Sequence, residues 1–372
     1  MVLKSLLLRN FRVYLNANIE FSEGINYIVG GNGQGKTTIL EAIYFLCTTK
    51  GYNSLTESEV VNFNSSFFEI SGIFKDITEN FLRIYYTTQD NKKYFFADGK
   101  QIYRASNIIG KFPVVILTPE DHSITQGSPA DRRKFVDSVI SQSSETYLQI
   151  LLDYNRVLRQ RASLLTQFKD SREKSLFDQL EAWSQRLVQT GTEIIRHRIN
   201  FVREFNEYVK NSYDVIMESK EYPSISYDYL DGRDKNSGDI ENEFQALLER
   251  KRDDEIRRGS NLVGPHRDQF MFYINLYDLK KYGSQGQNKT FQISLRFAQF
   301  FYLKDCLGKT PIFLMDDVFG ELDMFRASKI SLYLKDIGQA FVTLTDFSNF
   351  SYLNRTERDF LIKIDNGRAE YV

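Results

Sequence analysis

Residues Gly30–Thr37, with the sequence GGNGQGKT, have the types and spacing of a phosphate-binding loop. They fit the pattern G-x-x-x-x-G-K-S/T and lie between an apolar run, INYIV, and a helix-compatible run, TTILEAIYFL. Glycines let successive backbone N–H groups turn inward around phosphate oxygens, and a helix N-terminus adds the positive end of its dipole. We therefore expect the loop to bind a nucleoside triphosphate, with ATP as the cofactor.

Two side chains of this loop have specific expected roles. Lys36 is expected to neutralise the β- and γ-phosphates, and Thr37 to offer its hydroxyl group to Mg²⁺. The other expected contacts to the nucleotide come from Gly30, Gly31, Asn32, Gly33, Gln34, Gly35 and Thr38.

A carboxylate site that would complete the metal shell is expected where the apolar run PIFLM ends at Asp316 and Asp317. Parallel sheets place their ligands at the carboxyl ends of their strands. Asp316 is expected to organise the Mg²⁺ shell, and Asp317 to orient or polarise the attacking water. The alternative is a solvated acidic turn after a core strand.

The octapeptide GSQGQNKT, residues 283–290, directly precedes a second apolar, helix-compatible run. It contains nothing that could act as a nucleophile or a strong acid. The hydroxyl group of Ser284, the amides near Gly286 and the dipole of the following helix would together form an anion site. The alternative is an ordinary helix cap.

The order of these motifs is that of ABC-type ATPases: a polar glycine-containing signature, an aspartate-tipped strand, and then GELD. The blocks that make the resemblance specific are RNFRVY, GINYIVGGNGQGKTTILEAIYFL, PEDHSITQGSPADRRKFVD, LVGPHRD, SQGQNKT and LMDDVFGELD. In order and spacing the chain resembles the RecF family of bacterial recombination-repair proteins, from Leu6 to about Asp346.

The resemblance implies an α/β fold: an ABC-type P-loop ATPase head, with a mixed sheet and flanking helices, interrupted by a helical insertion with a short antiparallel helix pair. We expect the head at residues 1–126 and 260–372 and the insertion at 127–259, since proline and glycine become rare from Asp131 to about Lys210. Hydrophobic periodicity predicts two antiparallel helices of about 30 and 45 Å. Tight hairpin turns are expected at Asp98-Gly99 and Asn366-Gly367.

The family also implies a function. The protein would form an ATP-dependent homodimer, bind gapped or single-strand/double-strand junction DNA, and assist recombinase loading with RecR- and RecO-like mediators. Replication restart and the DNA damage response would be its setting. The segment Ser284, Gln285, Gly286 and Gln287 would face the γ-phosphate held by the other subunit. Asp323 would lie at the same dimer seam, and Thr345 near the γ-phosphate.

Several positions depart from common patterns. Asp317 replaces the longer glutamate of most ABC enzymes, which favours slow, DNA-stimulated ATP hydrolysis used as a switch. Asn53 and Gln269 stand where the family often has an arginine and an acidic residue, so no role is carried over to them. His266, in the segment GPHRD, is expected to be structural.

Basic clusters on the insertion are the candidates for DNA contact. The predicted contacts are Arg132, Arg133, Arg156 and Arg159, and the clusters also contain Lys134, Arg161, Arg196, His197 and Arg198. Contacts of this kind would be mostly to phosphate and neutral to sequence. Interleaved acidic residues leave a solvated helix face as an equal explanation.

The bulk properties set outer limits. The 372 residues carry a net charge of −1, so DNA binding requires a local patch or a dimer groove. Two distant cysteines and no apolar run long enough for a membrane span favour a reduced, cytoplasmic protein. The alternatives are the ATPase head of another SMC-like or defence-associated complex with a separate effector, a transporter's nucleotide-binding subunit, and a dimeric adaptor without ATP turnover.

Overall fold

The computed structural model describes residues 1–52, 56–171, 174–217, 221–232, 239–347, 353 and 355–372, with the backbone alone at 169–171 and 174. The chain divides into two compact units. The first contains Met1–Asp121, Asn211–Ser219 and Ile293–Val372, and the second contains His122–Lys210 and Lys220–Gln292. Each unit is described by itself below.

The helices are α1 (Lys36–Thr48), α2 (His122–Gln126), α3 (Pro129–Ser143), α4 (Glu145–Ser171), α5 (Lys174–Met217), α6 (Ile240–Arg258), α7 (Leu279–Tyr282), α8 (Gln285–Leu307) and α9 (Met324–Leu334). The strands are β1 (Val2–Phe11), β2 (Tyr14–Glu20), β3 (Ile25–Val29), β4 (Phe67–Lys75), β5 (Glu79–Thr87), β6 (Lys92–Ala97), β7 (Lys100–Ile102), β8 (Val114–Leu117), β9 (Pro223–Asp228), β10 (Gln269–Ile274), β11 (Tyr277–Asp278), β12 (Ile312–Met315), β13 (Ala340–Leu344), β14 (Phe360–Asp365) and β15 (Arg368–Tyr371). None of the described helices is long and apolar enough to cross a membrane.

A mixed six-stranded sheet is the centre of the first unit. Its strand order is β15-β14-β3-β13-β12-β8, and every neighbouring pair is parallel except β14 with β15. Both faces of β3, β8, β12 and β13 are covered, which explains why these strands are buried along their whole length and are mostly apolar. One face packs on residues of α8 and α9, such as Phe297 and Ile330.

The other face of the mixed sheet shares a core with α1 and with a second sheet. That sheet is antiparallel and has the order β2-β1-β4-β5-β6-β7. Ile39, Ile43 and Leu46 of α1 are fully buried within this core. The arrangement fixes the start of α1 at the edge where the strands of the mixed sheet end.

The second unit contains a small antiparallel sheet, β11-β10-β9, and most of the helical insertion. Helices α4 and α5 are antiparallel, because Asp153 pairs with Arg186 while Arg161, further along α4, bonds Ser184, earlier on α5. At 27 and 44 residues they measure about 40 and 66 Å, so the predicted lengths of 30 and 45 Å were too short. Both helices extend beyond the stretches with clear hydrophobic periodicity.

The units also differ from the expected boundaries. Residues 260–292 lie in the second unit, because β10 pairs with β9 and packs on α3. The last turns of α5 lie in the first unit, where Ile216 is buried in the core. Both hairpin turns are confirmed by positive φ angles at Asp98-Gly99 (50° and 75°) and Asn366-Gly367 (47° and 75°). The segment DGRDKNSGD, residues 231–239, has the composition of a disordered loop, and its residues 233–238 lie outside the described part of the chain.

Candidate nucleotide-binding site

The strand order brings the phosphate-binding loop and the acidic strand end together. β13 lies between β3 and β12, in a register that pairs Leu344 with Val29 and Met315 with Val342. The next residues, Gly30 and Asp316, therefore emerge at one edge of the sheet. They are separated by a single strand, or about 10 Å.

Glycines shape the loop where the backbone turns sharply. Gly35 has φ = 109° and caps the N-terminus of α1. A Cβ atom at this position would lie 2.8 Å from the side chain of Val13 and 3.0 Å from that of Tyr14. At Gly30, a Cβ atom would lie 2.4 Å from the carbonyl oxygen of Ile364. Only glycine fits these two places without a shift of the neighbours.

The side chain of Lys36 lies over the loop that precedes it. Its Nζ atom donates hydrogen bonds to the carbonyl oxygens of Gly30 (2.7 Å) and Gly31 (2.9 Å). Burial lowers the pKa of Lys36, while the nearby carboxylates of Asp317 and Asp316 act in the opposite direction. A cavity of about 180 Å³ opens here, lined by Val13, Asn32, Gly33, Gly35, Lys36, Thr37, Thr38 and Asp317. An ammonium group in such a cavity is placed to meet an anionic ligand.

Asp316 is held by three hydroxyl groups. Its Oδ1 atom accepts from Thr37 (2.9 Å) and Thr343 (2.8 Å), and its Oδ2 atom accepts from Tyr52 (3.2 Å). The residue is only 7% exposed. Burial raises the pKa of its carboxyl group, and the three hydrogen bonds oppose that rise. A carboxylate oxygen beside a threonine hydroxyl is a pair of hard oxygen donors, which fits Mg²⁺.

Asp317 lines the same cavity and has a strained backbone conformation. Its backbone is left-handed, with φ = 47°, and its N–H donates to Thr343 Oγ1 (2.8 Å). Strain of this kind persists where the surrounding structure imposes it, and it is common at functional sites. Asp317 lines the cavity together with Lys36.

The C-terminal hairpin is hydrogen-bonded to the phosphate-binding loop. Gln34 accepts two backbone hydrogen bonds from the β14–β15 turn: Asn366 N–H to its Oε1 (2.5 Å) and Gly367 N–H to its carbonyl oxygen (3.3 Å). The side chain of Gln34 is thus engaged with protein. The sequence indicated the hairpin but not its contact with the loop.

Sequence reasoning selected Thr345 and missed Thr343 and Tyr52. Thr345 is exposed beyond the end of β13, whereas Thr343 is fully buried and bonds to Asp316. A signal for Thr343 was present, because a hydroxyl group inside a doubly covered strand must find a partner. Tyr52 carried no such signal.

The predicted signature begins helix α8, in the second unit. Ser284 and Gln287 form a reciprocal cap: Gln287 N–H donates to Ser284 Oγ (3.1 Å), and Ser284 N–H donates to Gln287 Oε1 (2.9 Å). Ser284 and Gln285 are exposed, and Gly286 is partly exposed. The helix-cap interpretation is therefore observed. It leaves the exposed hydroxyl group and helix terminus available to an anion.

Asn288 fixes the loop before this cap. Its Nδ2 atom donates to the carbonyl oxygens of Gly283 (3.2 Å) and Ser284 (3.0 Å), and its Oδ1 atom accepts from Gln126 (2.5 Å). Sequence reasoning did not single out Gln126 or Asn288.

Asp323 caps α9 in the first unit. Its carboxylate accepts from the backbone N–H of Arg326 (2.9 Å) and forms an ion pair with the same arginine. The backbone hydrogen bond is the main cause of its lowered pKa. Its role at a dimer seam stays a prediction.

The residues without an assigned role have structural explanations or fall outside the description. His266 is bonded through Nδ1 to the hydroxyl group of Tyr154 (2.7 Å), and burial lowers its pKa to about 4. A neutral histidine held in this way fits the structural interpretation. Gln269 is the exposed first residue of β10, and Asn53 lies outside the described residues.

The basic clusters prove to be of two kinds. Arg161 is buried and pairs with Glu255, and Arg198 is buried and pairs with Asp137, so neither faces solvent as a cluster on a solvated face would. Arg132 is 8% exposed and donates to the carbonyl oxygen of Gly127 (3.3 Å).

Arg133 is partly buried and donates to the carbonyl oxygen of Asp268 (2.7 Å). Each of these two guanidinium groups thus holds a backbone carbonyl oxygen of the fold, and the contact of Arg132 and Arg133 with DNA stays a prediction. Arg156 and Arg159 are exposed, and their contact with DNA stays a prediction.

Comparison with known proteins identifies the relatives of this chain. A family model described as an AAA domain matches residues 5–310. The DNA replication and repair protein RecF of Chloroherpeton thalassium is 40% identical over 358 residues, which cover 94% of this chain and 96% of that protein. The RecF protein of Lachnoclostridium phytofermentans is 36% identical and covers 100% of this chain and 99% of its own length.

Solved structures agree with the sequence comparison. The recombination mediator protein RecF-ATP in the RecFOR pathway has a TM-score of 0.89 at 31% identity, over 100% of this chain and 97% of that one. An Smc head domain from Pyrococcus furiosus, at 14% identity and a TM-score of 0.56 over 100% of this chain and 95% of that one, shows likeness of fold alone.

These likenesses confirm the predicted α/β, ABC-type P-loop ATPase fold with a helical insertion. They support the recombination-repair interpretation and not the alternative of a defence-associated head. With relatives of 35–40% identity over nearly its whole length and a bound-nucleotide relative of the same fold, the chain belongs to the RecF family of DNA replication and repair proteins.

Proposed function

We propose that the protein is an ATP-dependent DNA-binding repair protein that dimerises on ATP, binds gapped or junction DNA and assists recombinase loading. The observation that carries the proposal is the convergence of Lys36, Thr37 and Asp316 at one sheet edge, with Thr37 Oγ1 2.9 Å from Asp316 Oδ1. This constellation has the donors that a triphosphate and its metal ion require.

ATP would be held by the backbone amides of the phosphate-binding loop and by Lys36. Lys36 would exchange its bonds to Gly30 and Gly31 for bonds to the phosphates. Thr37 and Asp316 would hold Mg²⁺, which when bound supplies positive charge to the phosphate oxygens. Thr343 and Tyr52 would keep the Asp316 carboxylate oriented.

Hydrolysis would depend on Asp317, a carboxylate that lines the cavity. Aspartate reaches less far than glutamate, so water is oriented less closely and turnover is slow. We expect DNA to stimulate the rate, and ATP hydrolysis to act as a switch. A turnover well above about 10 per second, the median for enzymes, would contradict this expectation.

A second copy would complete the site. The exposed cap of α8, formed by Ser284, Gln285, Gly286 and Gln287, carries a helix dipole and a hydroxyl group in a unit separate from the phosphate-binding loop. It would bind the γ-phosphate held by the other copy. Asp323 would lie at the same seam, with Thr345 near the γ-phosphate.

DNA and mediator proteins would be the partners of the dimer. The named relatives include a recombination mediator of the RecFOR pathway, which supports RecO- and RecR-like partners here. The exposed residues Arg156 and Arg159 on α4 would contact phosphates without reading sequence. Their placement on the insertion is consistent with a duplex gripped by two insertions.

Sizing the protein with and without ATP and Mg²⁺, in the presence of a gapped duplex, tests the proposal. The wild type should dimerise on ATP and hydrolyse it faster with DNA. Lys36→Arg should dimerise without turnover, and Ser284→Arg should bind ATP as a monomer. A wild type that binds ATP and stays monomeric at every protein concentration would overturn the proposal.

A further inference from the structure

An exposed apolar cluster lies directly beside the signature in the second unit. It consists of Tyr222 (64% exposed), Leu276 (90%), Tyr277 (68%) and Tyr282 (72%), and we call it the aromatic tip. The three tyrosines alone expose roughly 300 Å² of side chain or more. The largest exposed apolar patch on a typical soluble protein is about 300–600 Å² and is often functional.

Leu276 stands in a conformation that is unfavourable for a leucine. It occupies the second position of the two-residue turn between β10 and β11, where Ile274 pairs with Tyr277. Asn275 and Leu276 have φ angles of 50° and 70°, the left-handed pair that such turns fill with Asn-Gly. A bulky residue at this φ angle is an outlier.

The side chain of Leu276 is not buried by the rest of the fold, so packing does not offset the backbone strain. Its side chain is 90% exposed, so it is both strained and solvated in the isolated chain. Glycine or asparagine at this position would satisfy the turn at lower cost. The apolar side chain therefore has a use only when another surface covers it.

Backbone and side-chain bonds join the aromatic tip to the signature. Helix α7 is anchored by Leu279, which is buried, and Leu279 O accepts from Gly283 N–H (3.0 Å). Tyr222 N–H donates to Asn275 Oδ1 (2.8 Å), and the preceding residue, Glu221, accepts from Gln287 (2.7 Å). A surface that contacts the signature would therefore also contact the aromatic tip beside it.

A complementary apolar rim flanks the phosphate-binding loop in the first unit. Val13 lies in the β1–β2 turn and Leu15 lies in β2, and they are 48% and 64% exposed. Val13 also lines the nucleotide cavity. Each half of the proposed composite site is thus bordered by exposed apolar side chains.

We propose that the aromatic tip docks on a second copy of this chain, with Leu276 packing on the rim formed by Val13 and Leu15 of the partner subunit. The inference rests on the proposed ATP-dependent dimer and assigns it a further contact surface. Two-fold symmetry would form the contact twice per dimer, once over each nucleotide. It would exclude water from the edge of each site.

The test compares Leu276→Asn with Leu152→Asn, which removes a 48%-exposed leucine from α4 of the same unit. ATP affinity, thermal melting without nucleotide, and the dimer dissociation constant with ATP and Mg²⁺ are measured for each variant. Leu276→Asn should melt at the same temperature as the wild type or higher, since asparagine tolerates the left-handed turn. Its ATP affinity as a monomer should not change.

Its dimer affinity should fall by about 100-fold, since roughly tenfold is lost for each buried leucine and the contact occurs twice. Leu152→Asn should dimerise as the wild type does. A Leu276→Asn variant that dimerises as tightly as the wild type would overturn the inference while leaving the proposed function intact. If the wild type and Ser284→Arg are equally monomeric with ATP, the proposed function fails instead.

A fluorescent single-stranded oligonucleotide settles whether the aromatic tip stacks bases instead. Tyr282→Ser should leave oligonucleotide affinity per dimer unchanged when dimers are saturated. Loss of oligonucleotide affinity by monomers, without loss of dimerisation, would assign the aromatic tip to nucleic acid and overturn the inference.

Discussion

At the scale of a residue, the carboxyl group of Asp316 is expected to serve metal binding while it lowers the stability of the nucleotide-free fold. It is buried beneath three hydroxyl groups, and burial raises its pKa. A group with a raised folded-state pKa stabilises the fold at low pH, and that contribution is lost as pH rises through the folded pKa. At neutral pH the ionised carboxylate is therefore a cost to the nucleotide-free protein.

Asp316→Asn should remove that cost. We expect the free energy of unfolding without nucleotide to rise by about 1 kcal/mol, seen as a melting temperature higher by a few degrees. ATP hydrolysis should fall at least 100-fold, on the order expected when a metal ligand is lost. Calorimetry and a steady-state phosphate-release assay measure the two effects.

Thr343→Val is the matched control, since it removes a hydrogen bond to Asp316 but not the charge. It should lower the melting temperature. A melting temperature that falls equally in both variants would show that the carboxylate is a net stabiliser.

His266 contributes to the free energy of unfolding with a pH dependence opposite to that of Asp316. Its pKa is lowered from 6.5 to about 4, chiefly by burial, so the folded chain keeps it neutral while the unfolded chain protonates it. The contribution of His266 to stability is fully present above pH 6.5 and is lost as pH falls from 6.5 toward 4. The full loss should be on the order of 3 kcal/mol, since the pKa falls by about 2.5 at 1.36 kcal/mol per pKa unit.

Urea unfolding between pH 7 and pH 4.5 measures this slope, with His266→Gln as the comparison. The variant should lose that part of the pH dependence while other groups continue to contribute theirs. Parallel curves for the two proteins would show that His266 is already charged in the folded state.

At the scale of elements, the C-terminal hairpin holds the phosphate-binding loop through Gln34. Gln34→Ala keeps the bond to the carbonyl oxygen but removes the bond to the side chain. We expect ATP affinity to fall by roughly threefold to tenfold, the value of one hydrogen bond of about 1 kcal/mol. Titration calorimetry measures it.

An exposed glutamine in another turn, Gln89, provides the control for that experiment. Gln89→Ala should bind ATP as the wild type does. An unchanged ATP affinity in Gln34→Ala would show that the loop keeps its shape without the hairpin.

Helix α4 carries the prediction about DNA. Charge reversal of Arg156 and Arg159 should flatten the slope of log K against log salt by about 2 per copy, since each arginine would neutralise one phosphate. ATP affinity should not change. Arg203→Glu, on α5, is a matched exposed control, and an unchanged slope in the Arg156/Arg159 variant would reject the placement.

The sequence predicted those features that are determined by residues close together in the chain. The phosphate-binding loop, the strand ending at Asp316, and the turns at Asp98-Gly99 and Asn366-Gly367 each depend on a few neighbouring residues. These features were confirmed as structural elements. Family resemblance supplied the overall fold.

The failures involve distant partners. Arg161 and Arg198 looked exposed because their partners, Glu255 and Asp137, are 94 and 61 positions away. Thr343 was passed over for Thr345 because the register of β13 against β12 decides which threonine meets Asp316. That register cannot be read from one strand alone.

At the scale of the whole molecule, the chain carries its phosphate-binding loop and its signature in separate compact units. If each nucleotide site takes one half from each of two copies, ATP hydrolysis must depend on protein concentration. The specific activity should rise with concentration until dimers saturate, and ATP binding should not. Activity per chain that is constant over a 1000-fold dilution would contradict a shared site.

The most direct measurement mixes two inactive variants. Lys36→Ala lacks a working phosphate-binding loop and Ser284→Arg a working signature, so a mixed dimer has one site with both defects and one site with neither. The account predicts that each variant alone is inactive and that an equal mixture recovers between one quarter of wild-type ATP hydrolysis, when subunits pair at random, and one half, when only mixed dimers form. A mixture no more active than the two variants apart would contradict it.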